Sequence, residues 1–140
     1  MQLGDNLRRG LETTLGILDE TLCEFEEWAR GREHRSVLYS EHNSLSPSDR
    51  DALLSEIAEM RSVLQEFRDD LALEGRMREA AHSIWGSCAV LLTNLEELTG
   101  KHLARYGDIP RQLPEYLEPR IRRLMSSLQH IFRLAAKPKK

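Results

Sequence analysis

Asp69-Asp70-Leu71-Ala72-Leu73-Glu74-Gly75-Arg76-Met77-Arg78 is the stretch on which the fold turns. Before it, Leu53, Ile57, Met60, Leu64, Phe67 and Leu71 recur every three or four residues; after it, Ala81, Trp85, Cys88, Leu92 and Leu95 do the same. Each set lines one face of a helix. A break at Gly75 makes two helices, whereas an uninterrupted chain makes one, from Pro47 to about Leu98. The charges favour continuity. A helix ending near Glu74 carries Asp69, Asp70 and Glu74 at its negative pole. One starting at Arg76 carries Arg76 and Arg78 at its positive pole, with no Ser, Thr, Asp or Asn to cap it. In a continuous helix Glu74 and Arg78 become a favourable i,i+4 pair, and Gly75 costs only about 1 kcal/mol relative to alanine. Against continuity, the apolar stripe turns by roughly 120° between the two halves, more than supercoiling absorbs over this span. The balance predicts one long central helix.

The same helical period extends outward in both directions. Leu7, Leu11, Leu15, Leu18, Leu22, Phe25 and Ala29 line a first helix, with Asp5 placed to cap its start and Gly31 its end. Residues 32–46 form a polar connection rich in Ser and His, long for a loop between helices. It ends in the clearest local signal of the chain. Ser46-Pro47-Ser48-Asp49 sets a hydroxyl at the cap, a proline at the first helical position and a carboxylate three residues after the cap. Leu98, Leu103 and Tyr106 extend the central pattern to Gly107, and Leu117, Ile121, Leu124, Leu128, Ile131 and Leu134 mark a last helix that stops before a solvated tail, Lys137-Pro138-Lys139-Lys140. No segment alternates as a half-buried strand does. The fold class is therefore all-α, an antiparallel bundle of three to four helices over residues 1–140. With a break at Gly75 the helices run about 5–31, 47–74, 76–106 and 115–136.

With 140 residues, 40% of them hydrophobic, 31% charged and a net charge of −3, the chain suits one domain, or a fold completed by a second copy. The small net charge hides a division. Residues 1–74 hold 8 basic and 17 acidic side chains, a net −9, and residues 75–140 hold 12 and 6, a net +6. A continuous central helix would span about 78 Å, which its neighbours, at about 42 and 30 Å, leave partly uncovered. An antiparallel homodimer would lay the acidic half of one copy on the basic half of the other. The start lacks a secretory leader, and the longest wholly apolar run, Cys88-Ala89-Val90-Leu91-Leu92, is far too short to cross a bilayer. Cys23 and Cys88 read as reduced thiols of a cytoplasmic protein. Cys88 lies on the apolar stripe, and carboxylates at Asp19, Glu20, Glu24, Glu26 and Glu27 suppress thiolate formation at Cys23.

The most specific motif is Ala81-His82-Ser83-Ile84-Trp85-Gly86-Ser87. It resembles the histidine-containing phosphotransfer domain, whose signature is Ala-His-Ser/Thr-Leu-Lys-Gly-Ser on a helix of a four-helix bundle. The resemblance implies that His82 accepts a phosphoryl group from a receiver-domain aspartate, with Gly86 and Ser87 admitting the partner. Trp85 stands where that family carries lysine, nearby Glu79 would repel a phosphate, and the glycine-containing turn that usually follows is absent.

Weaker patterns accompany this one. Glu79-x-x-His82 has the ligand spacing of di-iron bundles, but about 0.6 such pairs arise by chance. Arg-x4–6-His, as in helical ribonucleases of the HEPN type, occurs at Arg35/His42, Arg76/His82 and Arg123/His130, three times against about 1.7 by chance. Arg30, Arg32, His34, Arg35 and His42 form a basic cluster that could hold an anion, and Arg120, Arg122, Arg123 and Arg133 form a basic face that could meet a polyanion. The acidic first half argues against nucleic acid as a partner. The sequence thus points to a non-catalytic, cytoplasmic helical protein without cofactor or metal, acting through protein partners or as a homo-oligomer. Phosphotransfer at His82 is the alternative.

Overall fold

The computed structural model describes residues 1–136; the tail Lys137-Pro138-Lys139-Lys140 lies outside the described residues. The elements are α1 (Asp5–Ala29), α2 (Pro47–Leu71), α3 (Ala80–Glu96), a 3₁₀ helix (Gly100–Tyr106) and α4 (Leu113–Ala135). Among the described residues there is no strand, only one antiparallel bridge, Arg35 to Ser40. The chain divides into two compact units, Met1–Arg76 and a second that begins at Met77.

The first unit is an antiparallel pair, α1 against α2. Leu22, Ala29 and Ile57 are its buried core, with Leu53, Leu54, Met60 and Leu64 packed around them. Burying Leu22 or Ile57 contributes about 1.5–3 kcal/mol each. One flank of the pair is bridged by charge. Arg61 donates to Glu26 at 2.7 Å and lies 4.0 Å from Asp19. The Arg61 guanidinium holds the Glu26 carboxyl below its ordinary range, and Glu26 in turn raises Arg61.

Asp5 is not the cap of α1; Gly4 occupies that position without a side-chain bond, and Asp5 is the first helical residue, where its charge still faces the positive pole. Gly31 ends the helix as expected, at φ 79°. Its N–H donates to the Trp28 carbonyl at 2.9 Å and the Arg32 N–H to the Glu27 carbonyl at 3.1 Å, the paired bonds of a left-handed helix stop. A Cβ at Gly31 would fall 2.0 Å from a guanidinium nitrogen of Arg50, the movable end of that side chain, so it is the positive φ that calls for glycine here. The start of α2 matches its motif, with Ser46 Oγ accepting the Asp49 N–H at 3.0 Å ahead of Pro47.

The continuous central helix is corrected. α2 stops at Leu71, Ala72 turns into the left-handed region (φ 51°, ψ 46°), and residues 72–79 are not helical. The break falls three residues before Gly75, whose backbone is not left-handed. Charges of the wrong local sign are answered from across the fold. Arg8, on the first turn of α1, donates to the carbonyls of Leu71 and Ala72 at 3.0 and 2.9 Å, bringing a cation to the negative pole of α2. Glu74 and Arg76 do not cap helices; the Glu74 N–H donates to the Glu12 carboxylate, and Arg76 pairs with Glu20 at 3.3 Å while lying against Gly16. Glu79 caps α3, its side chain accepting the Ala81 N–H at 3.2 Å.

The second unit is another antiparallel pair, α3 against α4. Trp85 near the start of α3 stacks on Phe132 near the end of α4, centroids 5.0 Å apart. Cys88, Leu103 and Ile121 are buried. The expected run of helix to Tyr106 is replaced by a turn after Glu96 and the 3₁₀ helix, which opens at Gly100 (φ 53°) and is followed by Gly107 (φ 102°). α4 begins at Leu113, two residues before the predicted 115, with Pro114 in its first turn and Pro119 tolerated one turn further.

Candidate interaction surface

Successive residues of a helix are about 100° apart, so each side chain can be placed relative to the seam of its pair. In α1, taking buried Leu22 as the seam, every charged residue lies on one half of the circumference. Leu7, Leu11, Thr14, Leu18, Thr21, Phe25 and Trp28 fill the other half. α2 covers only part of this uncharged half: Leu7, Leu18 and Phe25 remain exposed. Phe67 and Val63 are exposed on the shoulder of α2 that an antiparallel pairing sets beside them. Asp49, Glu56 and Asp70 edge that shoulder.

The second unit repeats the arrangement with fewer charges. From Ala80 to Leu95, α3 carries no Asp, Glu, Lys or Arg at all. A helix without charges has a wider apolar surface to bury than one side, although His82, Ser83, Ser87, Thr93 and Asn94 keep part of α3 polar. Here only the Cys88 side is buried, while Ile84, Trp85, Val90 and Leu91 are exposed, Val90 at 61%. On α4, Leu124 and Ile131 occupy the shoulder beside Ile84 and Leu91, and Leu124 is 55% exposed. Arg120 lies on that shoulder, its guanidinium 3.8 Å above the ring of Tyr116.

The connection between α1 and α2, read from sequence as a polar loop, is an ordered hairpin. The Ser36 N–H donates to the Tyr39 carbonyl at 2.7 Å and the Glu41 N–H to the His34 carbonyl at 2.8 Å. Its anchor is the Glu41 carboxylate, which accepts from the Tyr39 hydroxyl, the His34 N–H, the Trp28 indole and lies 3.0 Å from His34 Nδ1. The Tyr39 hydroxyl, foremost, and the His34 donors hold the Glu41 carboxyl down at about 2. Asn43 and Arg35 lower Glu33 in the same way. Arg30, Arg32 and Arg35 of the predicted anion cluster are each paired, with Glu26, Glu27 and Glu33. The tip, Val37-Leu38, is almost wholly exposed, 92% and 100%. No turn propensity explains two aliphatic residues there, and sequence periodicity offered no signal for it.

His82 sits in the first turn of α3, exposed, its ring 6.4 Å from that of Trp85. Ser87 is exposed as well, and a Cβ at Gly86 would meet nothing within 4 Å. Close packing within the chain is therefore not what makes residue 86 small. Arg78, which the motif does not include, donates to Ser83 Oγ at 2.9 Å and brings a guanidinium to the same turn.

No known protein family, curated protein or solved structure gives a significant match to this chain.

The remaining candidates are not assembled into a site. No three His, Cys, Asp or Glu side chains among the described residues are grouped to hold a metal, and Glu79 is engaged at the α3 cap. Arg76 is paired with Glu20, while Arg123 and His130 lie two turns apart on the exposed side of α4. A groove of about 420 Å³ between the 3₁₀ helix, with the turn before it, and the start of α4 is lined by Leu98, Gly100, Leu103, Pro114 and Leu117, with Glu115 and Glu118 as its titratable groups. No helix among the described residues is long and apolar enough to cross a membrane.

Proposed function

We propose that this chain is a non-catalytic helical protein that works through protein–protein contact, self-association included, at the uncovered faces of its helix pairs. One observation carries the reading: from Ala80 to Leu95 α3 has no Asp, Glu, Lys or Arg on any side, yet its own unit covers one side of it. Exposed apolar surface continued along a helix pair marks an interaction site. The two unpaired cysteines, exposed Cys23 and buried Cys88, support a reducing compartment such as the cytoplasm. Light scattering at micromolar concentration tests self-association: an oligomer is the expected result, and a monomer at both low and high salt overturns that part of the reading.

A second reading has its own observation, the empty side of Gly86 next to exposed His82. Glycine inside a helix costs about 1 kcal/mol against alanine, and here a close-approaching partner would justify it. Under this reading the His82 imidazole attacks the aspartyl phosphate of a receiver domain and the aspartate carboxylate departs. Incubation with phosphorylated receiver domains should then leave acid-labile label on the chain. Equal labelling of the His82→Gln variant removes His82 as the acceptor.

A further inference from the structure

We propose that the α3–α4 face containing Ile84, Leu91, Leu124 and Ile131 is the contact through which two copies of this chain pair, an inference that rests on the interaction reading above and gives it a partner and a surface. Three observations support a second copy as the occupant.

The first is spacing. Next to the residues of the seam, α3 carries a second row, Ala80, Ile84, Ser87, Leu91 and Asn94, and α4 a second row, Leu113, Leu117, Arg120, Leu124, Ser127, Ile131 and Leu134. Both advance by alternating steps of three and four, the repeat by which a helix meets a second neighbour in a four-helix layer. In an antiparallel pair these two rows fall on the same side, away from the Trp85–Phe132 stack.

The second is charge. A face that pairs with its own copy meets a face of the same net charge across the two-fold axis. The α3–α4 face carries Arg120, stacked on Tyr116, with Arg123 at its outer edge beside Leu134, although the unit as a whole is basic; Arg122 and Arg133 lie on the other half of α4. The corresponding α1–α2 face carries Asp49, Glu56 and Asp70, which self-pairing would crowd together. The less charged face is the one suited to a copy of itself.

The third is area. Ile84, Leu91, Tyr116, Leu124, Ile131 and Leu134 together expose on the order of 600 Å², so two copies can bury at most roughly 1,200 Å² from these residues, the lower end of the range of stable interfaces.

The experiment is sedimentation or light scattering of the full chain and of four variants at low and at molar salt, with helicity followed by circular dichroism. The parent should be a dimer at both salt concentrations, because an apolar contact is not screened. Leu91→Glu and Leu124→Glu, at positions already half exposed, should keep their helicity and raise the dissociation constant by roughly a hundredfold or more, since each places two unpaired carboxylates in the contact. Val63→Glu and Phe67→Glu, on the α1–α2 face, should leave the dimer intact. Should either Leu variant lose helicity, Ser127→Arg at an exposed polar position of the same row takes its place. An oligomer that survives the α3–α4 variants, that responds to Phe67→Glu instead, or that dissociates in salt overturns this face while leaving self-association standing. A parent that is monomeric under all conditions removes both.

Discussion

The two helix pairs have the same architecture and hold together by different means. α1 and α2 share a core of Leu22, Ala29 and Ile57 and are bridged along one flank by Arg61 with Glu26 and Asp19, and at the end by Arg8 on the last carbonyls of α2. α3 and α4 meet through apolar side chains, with the Trp85–Phe132 stack along the corresponding flank. In a single layer of two helices one side must be closed by something. Charges close it in the acidic unit and rings in the other, and in both the opposite side stays uncovered. The acidic unit should therefore respond to pH more than the second, and each contains one tryptophan, Trp28 or Trp85, to report on it.

The largest effect expected is from the core. Ile57→Ala should destabilise the first unit by about 2–5 kcal/mol, seen in denaturant titrations of a Trp85→Phe background through Trp28, because a 1% exposed side chain leaves a cavity. A similar loss reported by Trp85 in the matching Trp28→Phe background would mean that the two units unfold together, and the comparison between them would collapse.

Next is Gly31→Ala, at about 2 kcal/mol. It combines a left-handed backbone with a Cβ aimed at Arg50. Thermal melting of Gly31→Ala beside Gly31→Ala/Arg50→Ala separates the two causes: the second substitution should restore little, since the Arg50 tip can move aside, and leave the larger part due to φ. At the other end of the pair the sign reverses. Ala72→Gly should stabilise the first unit by about 1 kcal/mol, since among the described residues Ala72 is the one non-glycine residue with positive φ. Loss of stability there would mean that α2 does not end at Leu71.

The smallest effect is the pH dependence of the ordered hairpin. Glu41 titrates near 2 in the folded chain against 4.5 as a free side chain, so the stabilisation is complete above about 4.5 and disappears as the pH falls through about 2. Glu33 and Glu26 are shifted in the same direction. Acid should lower the Trp28 transition, and Glu41→Gln should flatten that dependence. The Trp85 transition should move less; an equal shift would erase the electrostatic contrast between the units.

Much of this was legible in the sequence because helical faces are local. The stripes through Leu22, Ile57, Cys88 and Ile121 follow from a period of about 3.6 residues, and so does the cap at Ser46. What lies across space was not legible. Asp69, Asp70, Glu74, Arg76 and Arg78 argued for a continuous helix because their own neighbours offered no compensation, yet from α1 Arg8 brought a cation to the end of α2, Glu20 paired with Arg76 and Glu12 accepted the Glu74 N–H. The hairpin tip at Val37-Leu38 was missed because its support, Glu41 bound to Trp28, His34 and Tyr39, joins residues that no periodic pattern connects.

The sequence by itself therefore determined that the chain is helical and which side of each helix is apolar, since both depend on residues within one or two turns. Only the tertiary structure decided where the central helix breaks, how much of each apolar side its own pair covers, and that the charge-free side of α3 is left over. Those outcomes depend on which groups meet at distances of 3–4 Å after sixty residues of intervening chain, and a helix end is stable when its carbonyls and its pole are satisfied from anywhere in the fold.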